Sequence, residues 1–437
     1  MEKIIVSGGN TLQGEIEVSG MKNSAVAILF ATILVDGKCV IENLPPVDDV
    51  CTSIKILEVM GASVKWLNKT SVEINTKNII AGKSPDEFAS KMRASYYVLG
   101  AELGRFGTAY SAKPGGCDFG VRPIDRHIKG FEALGATVEE ELMCIRATTE
   151  NGLVGNNIFM DDISVGATIN IILAAVTASG VTTIDNAARE PHVVDLANFL
   201  NACGAEISGA GTDMIKIKGV RELTGVTYAI VPDMIEAGTY MIAGAVRIGN
   251  HLKITNVIPK HLESITAKLI EMGVNVEEGD DYVIVSRTEP LKPINVKTLP
   301  YPSFPTDMNP QICVLLTLAE GNSRLIEGVW DGRFKYTEEL IRMGADIKVN
   351  GRSAVVTGVK KLTGARVRAC DLRAGAAMVI AALATDGMSE IEEIYHIRRG
   401  YDNMEAKLRG VGADIKAINI PDIFGINGLL SNENKCV

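Results

Sequence analysis

The sequence predicts an α/β protein of two similar domains, with sheets wrapped around helical cores, and three observations carry that prediction. A Gly-Ala-like pair recurs at Gly61-Ala62, Gly135-Ala136, Gly204-Ala205, Gly273-Val274, Gly344-Ala345 and Gly412-Ala413, at spacings of 74, 69, 69, 71 and 68 residues. Each interval holds one amphipathic segment and one segment that is apolar nearly all round. Short β-type segments follow the glycine pairs, such as Ser63-Val64-Lys65-Trp66 and Asp346-Ile347-Lys348-Val349. Six units of about 70 residues, three per domain, suit a chain of 437 residues, which exceeds a single hydrophobic core.

The amphipathic segments come just before the glycine pairs. Leu196, Phe199, Leu200 and Cys203 fall at i, i+3, i+4 and i+7, while Tyr336, Leu340, Met343 and Met404, Leu408, Val411 fall at i, i+4 and i+7. That period predicts outer helices with one apolar face. Glycine then supplies the left-handed residue that ends each helix without a Cβ clash.

The second segments are expected as buried helices at 22–37, 93–107, 164–180, 235–249, 307–321 and 373–387, since runs such as Ile171-Ile172-Leu173-Ala174-Ala175 have no polar face. Their first residues are polar: Lys22-Asn23, Arg93, Ser164-Val165-Gly166, Glu236, Thr306-Asp307 and Arg373. Ser164, Thr306 and Asp307 read equally as simple N-caps. Lys22, Arg93 and Arg373 do not, because the helix dipole repels a cation there. Side-by-side helices would gather these starts into a cleft for a ligand with several negative charges.

That cleft works against the overall sign. Lys plus Arg number 44 against 53 Asp plus Glu, a net charge of −9, which disfavours a nucleic-acid partner held by bulk charge. With 46% apolar and 22% charged residues the chain reads as globular, without the apolar run a membrane helix needs. Met1-Glu2-Lys3-Ile4-Ile5-Val6 reads as a first strand, not a signal peptide. Eight dispersed cysteines, with no C-x-x-C pair and no Cys/His cluster, predict free thiols, no metal site and a cytoplasmic location.

Loops carry the remaining chemistry. Lys113-Pro114-Gly115-Gly116-Cys117-Asp118-Phe119-Gly120 surrounds one thiol with three glycines and a proline, and Arg122 follows. A cationic neighbourhood lowers a thiol's pKa, although a surface cysteine without a task fits the loop alone. Trp330-Asp331-Gly332-Arg333 and Tyr395-His396-Ile397-Arg398-Arg399-Gly400 add Arg333 and Arg399 to the bases. Guanidinium groups hold carboxylate or phosphate through paired bonds, so a cluster suits a small acid carrying both. His127, His192 and His396 read as polar helix or loop residues.

Lys22-Asn23, Met92-Arg93-Ala94-Ser95, Pro114-Gly115-Gly116-Cys117, Ser164-Val165-Gly166-Ala167-Thr168, Phe304-Pro305-Thr306-Asp307-Met308, Asp371-Leu372-Arg373-Ala374 and Arg399-Gly400-Tyr401 together resemble the UDP-N-acetylglucosamine 1-carboxyvinyltransferases, in order, over about residues 1–418. The resemblance implies the enolpyruvyl transferase fold, a two-domain inside-out α/β barrel. One domain would span 22–230 and the other 1–21 with 231–418, leaving 419–437 as a tail. It implies transfer of the enolpyruvyl group of phosphoenolpyruvate to the 3′-hydroxyl of UDP-N-acetylglucosamine, with phosphate released, for peptidoglycan synthesis. By the same resemblance Cys117 is the general acid and a site of covalent adduct, and Asp307 is the base. Lys22, Arg122 and Arg399, with Arg333 and Arg373, hold phosphate and carboxylate. Asn23, Arg93, Arg122, Pro123, Ile124, Asp125, Arg126, Ser164, Val165, Gly166, Asp307 and Val329 match positions that bind the nucleotide sugar. No cofactor is implied, nor any nucleic-acid or membrane partner, and the expected state is a monomer or weak homo-oligomer.

The chain departs from that pattern at Asp162, where relatives often carry a lysine, and at Asp48 and Met234, where some members carry bases. An acid at Asp162 would repel a diphosphate. Two rivals follow: the shikimate-pathway enolpyruvyl transferase, and a non-catalytic paralogue that binds the nucleotide sugar.

Overall fold

A computed structural model describes residues 2–89, 92–113 and 124–419. The chain divides into two compact units, Gly20–Val231 and Met1–Ser19 with Pro232–Val437. It crosses between them at 19/20 and 231/232. Gly20 and Met21 belong with the first unit because Gly20 packs on the Asn43 carbonyl and the Met21 N–H bonds the Val231 carbonyl at 2.7 Å.

Gly20–Val231 contains the helices Lys22–Ala31, Tyr97–Phe106 and Val165–Ala175, each buried along most of its length. Their mates in the other unit are Met234–Ala245, Asn309–Thr317 and Leu372–Ala384. These helices are shorter than the apolar pattern predicts. The first passes at Thr32 into a single 3-10 turn, and Gly37, with φ +154°, lies in the turn to the strand Lys38–Glu42. Apolar character continues through that turn because the turn is also buried, so hydropathy alone does not mark where the helix stops.

The described residues form six sheets, three in each unit. Five have four strands in one pattern: a short parallel strand, the strand following the buried helix, then two antiparallel strands. The sixth, Thr108–Ala112, Cys144–Thr148 and Thr137–Glu140, has three among the described residues. Strands alternate as half-buried strands must. In Met214–Lys218, Ile215 and Ile217 are buried while Met214, Lys216 and Lys218 face outward. The expected first strand, Glu2–Ser7, pairs with Asp414–Asn419, so Asn419 belongs to a strand and not to the tail. The rest of the tail, 420–437, lies outside the described residues.

The outer helices end as their glycines predict. All six glycines of the recurring pairs have φ between +89° and +111°. At each, the glycine N–H bonds the carbonyl three residues back, and the following N–H bonds the carbonyl five back, as in Ala62 to Leu57 and Ala413 to Leu408. These are Schellman endings, which satisfy carbonyls the helix leaves open. The apolar faces point inward: Leu196, Phe199, Leu200, Tyr336, Leu340, Met404 and Leu408 are buried. Cys39, Cys144, Cys203, Cys313 and Cys370 are free thiols, whereas Cys51 stands in a disulfide, against the expectation that every thiol is free.

Gly204 separates backbone strain from packing, because a Cβ added there would meet nothing within 4 Å. Gly204→Ala is expected to lower stability by about 1–2 kcal/mol through its left-handed φ alone. Urea unfolding checks it, with activity per folded molecule unchanged.

Candidate active site

In Gly20–Val231 the three buried helices run side by side in one direction. Gly100 lies against Asn170 and Gly104 against Leu173 and Thr177, so both helices advance together. Arg105 Nη1 reaches the Ile33 carbonyl at 2.8 Å, which brings the C-terminal end of Lys22–Ala31 to the same level. Side chains at Gly100 and Gly104 would close this gap, since a Cβ would stand 2.5 Å and 2.8 Å from backbone oxygens. The helix starts therefore share one end of this unit, with their free N–H groups and positive dipole ends.

Lys22 opens its helix, and its Nζ bonds Asp49 Oδ2 at 3.1 Å, with Asn23 half-buried beside it. Arg93 opens a 3-10 turn, Arg93–Tyr96, ahead of the second helix. Ser164 is an N-cap, its Oγ accepting from the Ala167 N–H at 3.3 Å. Val165 and Gly166 follow, half-buried. Ile124 is buried and Asp125 exposed at the start of the helix Asp125–Ala133. Arg126 of that helix pairs with Asp162 at 2.5 Å, and Lys129 with Asp161 at 2.6 Å. Asp162 thus occupies a base that the sequence assigns to the ligand. Cys117, Arg122 and Pro123 lie outside the described residues.

The other unit holds a second cluster. Asp307 sits in the 3-10 turn Thr306–Met308 and makes no side-chain cap; its carboxylate lies between two guanidiniums instead. Arg373 Nε is 3.1 Å from Asp307 Oδ2, and Arg333 Nη2 is 3.6 Å from Oδ1 and 3.1 Å from the Thr306 carbonyl. Both arginines are 3% exposed. Arg373 is the second residue of its helix, whose N-cap Asp371 accepts from the Arg373 and Ala374 N–H groups. Burial works against its charge, but Tyr401, Asp307 and Asp233 more than offset it, holding the guanidinium firmly protonated. Arg373 Nη1 is buried without a hydrogen-bond partner, an orphan donor next to a carboxylate. Arg399, half-buried, is the C-cap of Tyr395–Arg398. Its neighbour Arg398 is committed to Glu405 and Glu2.

Several supporting residues escape the sequence patterns. Glu327, 1% exposed, accepts from the Val329 and Trp330 N–H groups at 2.9 and 3.1 Å and from Asn309 Nδ2 at 2.9 Å, fixing the loop at Val329. Tyr401 carries Arg373 over its ring at 5.4 Å. Its hydroxyl lies 2.9 Å from Thr239 Oγ1, which itself donates to the Ile235 carbonyl, so the phenol is the donor. His127 is buried against Asn170 Nδ2 at 2.8 Å and faces Gly166. Glu327 and Thr239 stand in no motif, whereas Tyr401 closes Arg399-Gly400-Tyr401 and His127 reads as a polar helix or loop residue, neither with a supporting role legible in the sequence. No group of metal-ligating side chains occurs among the described residues. Nor is any described helix long and apolar enough to cross a membrane.

Comparison with known proteins gives this arrangement its class. A family model of EPSP synthase (3-phosphoshikimate 1-carboxyvinyltransferase) matches residues 6–408. The enolpyruvyl transferase NikO from Streptomyces tendae superposes with a TM-score of 0.86 at 27% identity, over 96% of this chain and 99% of its own. EPSP synthase from Acinetobacter baumannii shares the fold at a TM-score of 0.74 and 18% identity, over 96% of this chain and 100% of its own. The class is therefore an α/β enolpyruvyl transferase with two similar halves. The chain is also 54% identical over 417 residues to UDP-N-acetylglucosamine 1-carboxyvinyltransferase 2 of Clostridium acetobutylicum, covering 95% of this chain and 99% of that one. It is 51% identical over 416 residues to the Bacillus subtilis protein of the same name, covering 95% and 96%. It belongs to the UDP-N-acetylglucosamine 1-carboxyvinyltransferase family.

Removing the carboxylate from the second cluster tests its electrostatics. Asp307→Asn leaves two buried guanidiniums facing each other and is expected to lower stability by about 1–3 kcal/mol, less than for a fully buried pair. Millimolar inorganic phosphate should raise the melting temperature of the variant more than that of the native protein, as differential scanning fluorimetry would show.

Proposed function

We propose that the protein transfers the enolpyruvyl group of phosphoenolpyruvate to the 3′-hydroxyl of UDP-N-acetylglucosamine, releasing phosphate, as the committed step of peptidoglycan precursor synthesis. The single observation that carries this reading is the Asp307 carboxylate between buried Arg333 and Arg373, the latter with an unspent donor. A base beside two anion-binding groups suits a hydroxyl attacking a doubly charged acid. Family membership at more than 50% identity supports the same substrates.

In this reading Asp307 accepts the 3′-hydroxyl proton as the oxygen bonds C2 of phosphoenolpyruvate, while the Cys117 thiol delivers a proton to C3. The resulting tetrahedral adduct loses phosphate as a proton leaves C3, which restores the enol ether. The cysteine sulfur can alternatively bond C2 while the C2=C3 double bond opens and C3 takes up the thiol's proton, which holds the phosphorylated three-carbon acid covalently. Lys22, Arg122, Arg333, Arg373 and Arg399 bind phosphate and carboxylate. Asn23, Arg93, Arg122–Arg126, Ser164–Gly166 and Val329 bind the nucleotide sugar, helped by the dipole ends of the buried helices. The reaction belongs to the cytoplasm, where both charged substrates are made.

The finer fold reading is an inside-out α/β barrel in each domain, with six units of about 70 residues in all. Domain 20–231 would carry the nucleotide-sugar side and the cysteine loop; 1–19 with 232–419 would form the other, and 420–437 the tail. Six Schellman endings and five sheets of one pattern support it.

Phosphate release is expected only when both substrates are present, and not with a shikimate-type acceptor. Cys117→Ser should lower turnover by about 100-fold or more. A native protein that is silent, yet thermally stabilised by UDP-N-acetylglucosamine, would identify a non-catalytic binding paralogue instead.

The pair between Arg126 and Asp162 competes with the nucleotide. Asp162→Asn should lower KM for UDP-N-acetylglucosamine by about 2- to 5-fold at low salt, the scale of an exposed ion pair, and by less at 0.5 M salt. Steady-state kinetics at two ionic strengths reads it.

A further inference from the structure

The strand Thr108–Ala112 differs from its five counterparts. Each of the others, Lys38–Glu42, Val181–Asp185, His251–Thr255, Asn322–Glu327 and Met388–Glu392, has a parallel neighbour along one edge. Among the described residues Thr108–Ala112 pairs only with Cys144–Thr148. Its other edge faces Glu102, a 0% exposed carboxylate on the helix Tyr97–Phe106. Glu102 Oε2 accepts from the Tyr110 N–H at 3.0 Å, and Oε1 from the Gly82 N–H at 2.8 Å. Gly82, with φ +72°, lies so close that a Cβ there would stand 4.0 Å from the Tyr110 Cβ. One side chain thus pins the strand edge and the segment beside it, where the other sheets use a strand.

A buried carboxylate is a costly pin. Burial pushes Glu102 up to about 7, against the pull of its two N–H bonds. No charged neighbour contributes to that shift. The titratable residues on elements packed against its helix are Lys22, bound to Asp49, Arg93 and Tyr96 of the preceding turn, and Tyr110, Cys144 and Arg146 of the sheet. Arg105 and Tyr97 share its helix, and Arg105 is spent on the carbonyls of Ile33, Val35 and Thr76.

We propose that Glu102 is a positioning residue for the enolpyruvyl transfer, its carboxylate fixing, through the Tyr110 N–H, the strand from which the chain runs on to Cys117, five residues after Ala112. The proposal rests on the reading of Cys117 as the acid. A carboxyl whose native pKa lies above its unfolded value destabilises the fold increasingly as pH rises from about 4.5 through 7, where the unfolded chain has already lost the proton. Glu102→Gln removes that penalty but turns one acceptor into a donor facing an N–H. Relative to the native protein the variant should therefore gain stability as pH rises, while losing function.

The experiment uses full-length protein. Melting temperatures are measured at pH 5 and pH 8, phosphate release with both substrates at pH 7–8, and hydrogen exchange at the Tyr110 and Gly82 amides. Glu102→Gln is expected to match or exceed the native melting temperature at pH 8 while kcat falls about 10-fold at a KM for UDP-N-acetylglucosamine within about twofold. Tyr110 protection should fall about tenfold in the variant. In the native protein it should also weaken as pH drops below about 7, a readout that needs no variant. Native kcat and native exchange in the variant would overturn the proposal. So would a loss of melting temperature at both pH values in step with kcat, which marks a merely structural role. Absence of phosphate release by the native protein overturns the enzymatic reading itself, whereas the amide measurements still judge the pin.

Discussion

A helix that is apolar on every side can meet water only at its ends, and this constraint orders the whole molecule. Ile171, Ile172 and Leu173 are each 0% exposed, as are Val379, Ile380 and Val314 in the other unit. Each such side chain contributes about 1.5–3 kcal/mol by leaving water. Every polar demand of these helices is pushed to their termini, where four N–H groups stand open. Ser164, Asp233 and Asp371 answer part of that demand as side-chain caps. Lys22 and Arg373 add charge of the same sign as the dipole. A terminus arranged in that way is unfavourable on its own and becomes favourable when an anion arrives.

The charges at these termini are each held by a specific neighbour. Arg373 is buried, so its cost is met by Asp307 at 3.1 Å, by Asp233, and by the Tyr401 ring. Tyr401 is in turn fixed by Thr239 and Gln311. Glu236, at a helix start where an acid is expected to help, is buried and joined to Lys407 at 2.7 Å. Its role is to tie Ser19, whose N–H it accepts at 2.9 Å, to the same end of the unit. Within this cluster Arg373 Nη1 is buried without a hydrogen-bond partner.

Much of this was legible from residues alone because it depends on local chemistry. A glycine after an amphipathic stretch reports a left-handed ending wherever the chain folds, and Gly61 through Gly412 behave so. Apolar runs report burial, and Lys22, Arg373 and Asp307 stand at the starts of the buried helices. Helix length was not legible, since the turn Thr32–Leu34 is as apolar as the helix before it. Nor were the carboxylates that act at a distance in sequence. Glu327 reaches Asn309 across 18 positions, and Asp195 accepts from Ser24 across 171. Such pairs depend on how helices and strands stack, which composition and period do not encode. The pair between Arg126 and Asp162 lies between these cases: its charges are readable and its geometry is not.

Glu102 shows why the unreadable residues matter. A leucine at that point of the helix Tyr97–Phe106 would bury apolar surface and need no partners. The glutamate instead carries a charge into a site with no counter-charge, a choice that lowers stability near neutral pH. Residues that cost stability without an evident structural return concentrate where geometry must be held for function. Here the geometry is a sheet edge with no parallel strand among the described residues, and two backbone N–H groups are the return. A fourth strand would satisfy the same edge through its backbone alone. A single side chain does it with one ionisable contact, so the register of the strand leading to the cysteine becomes coupled to a proton.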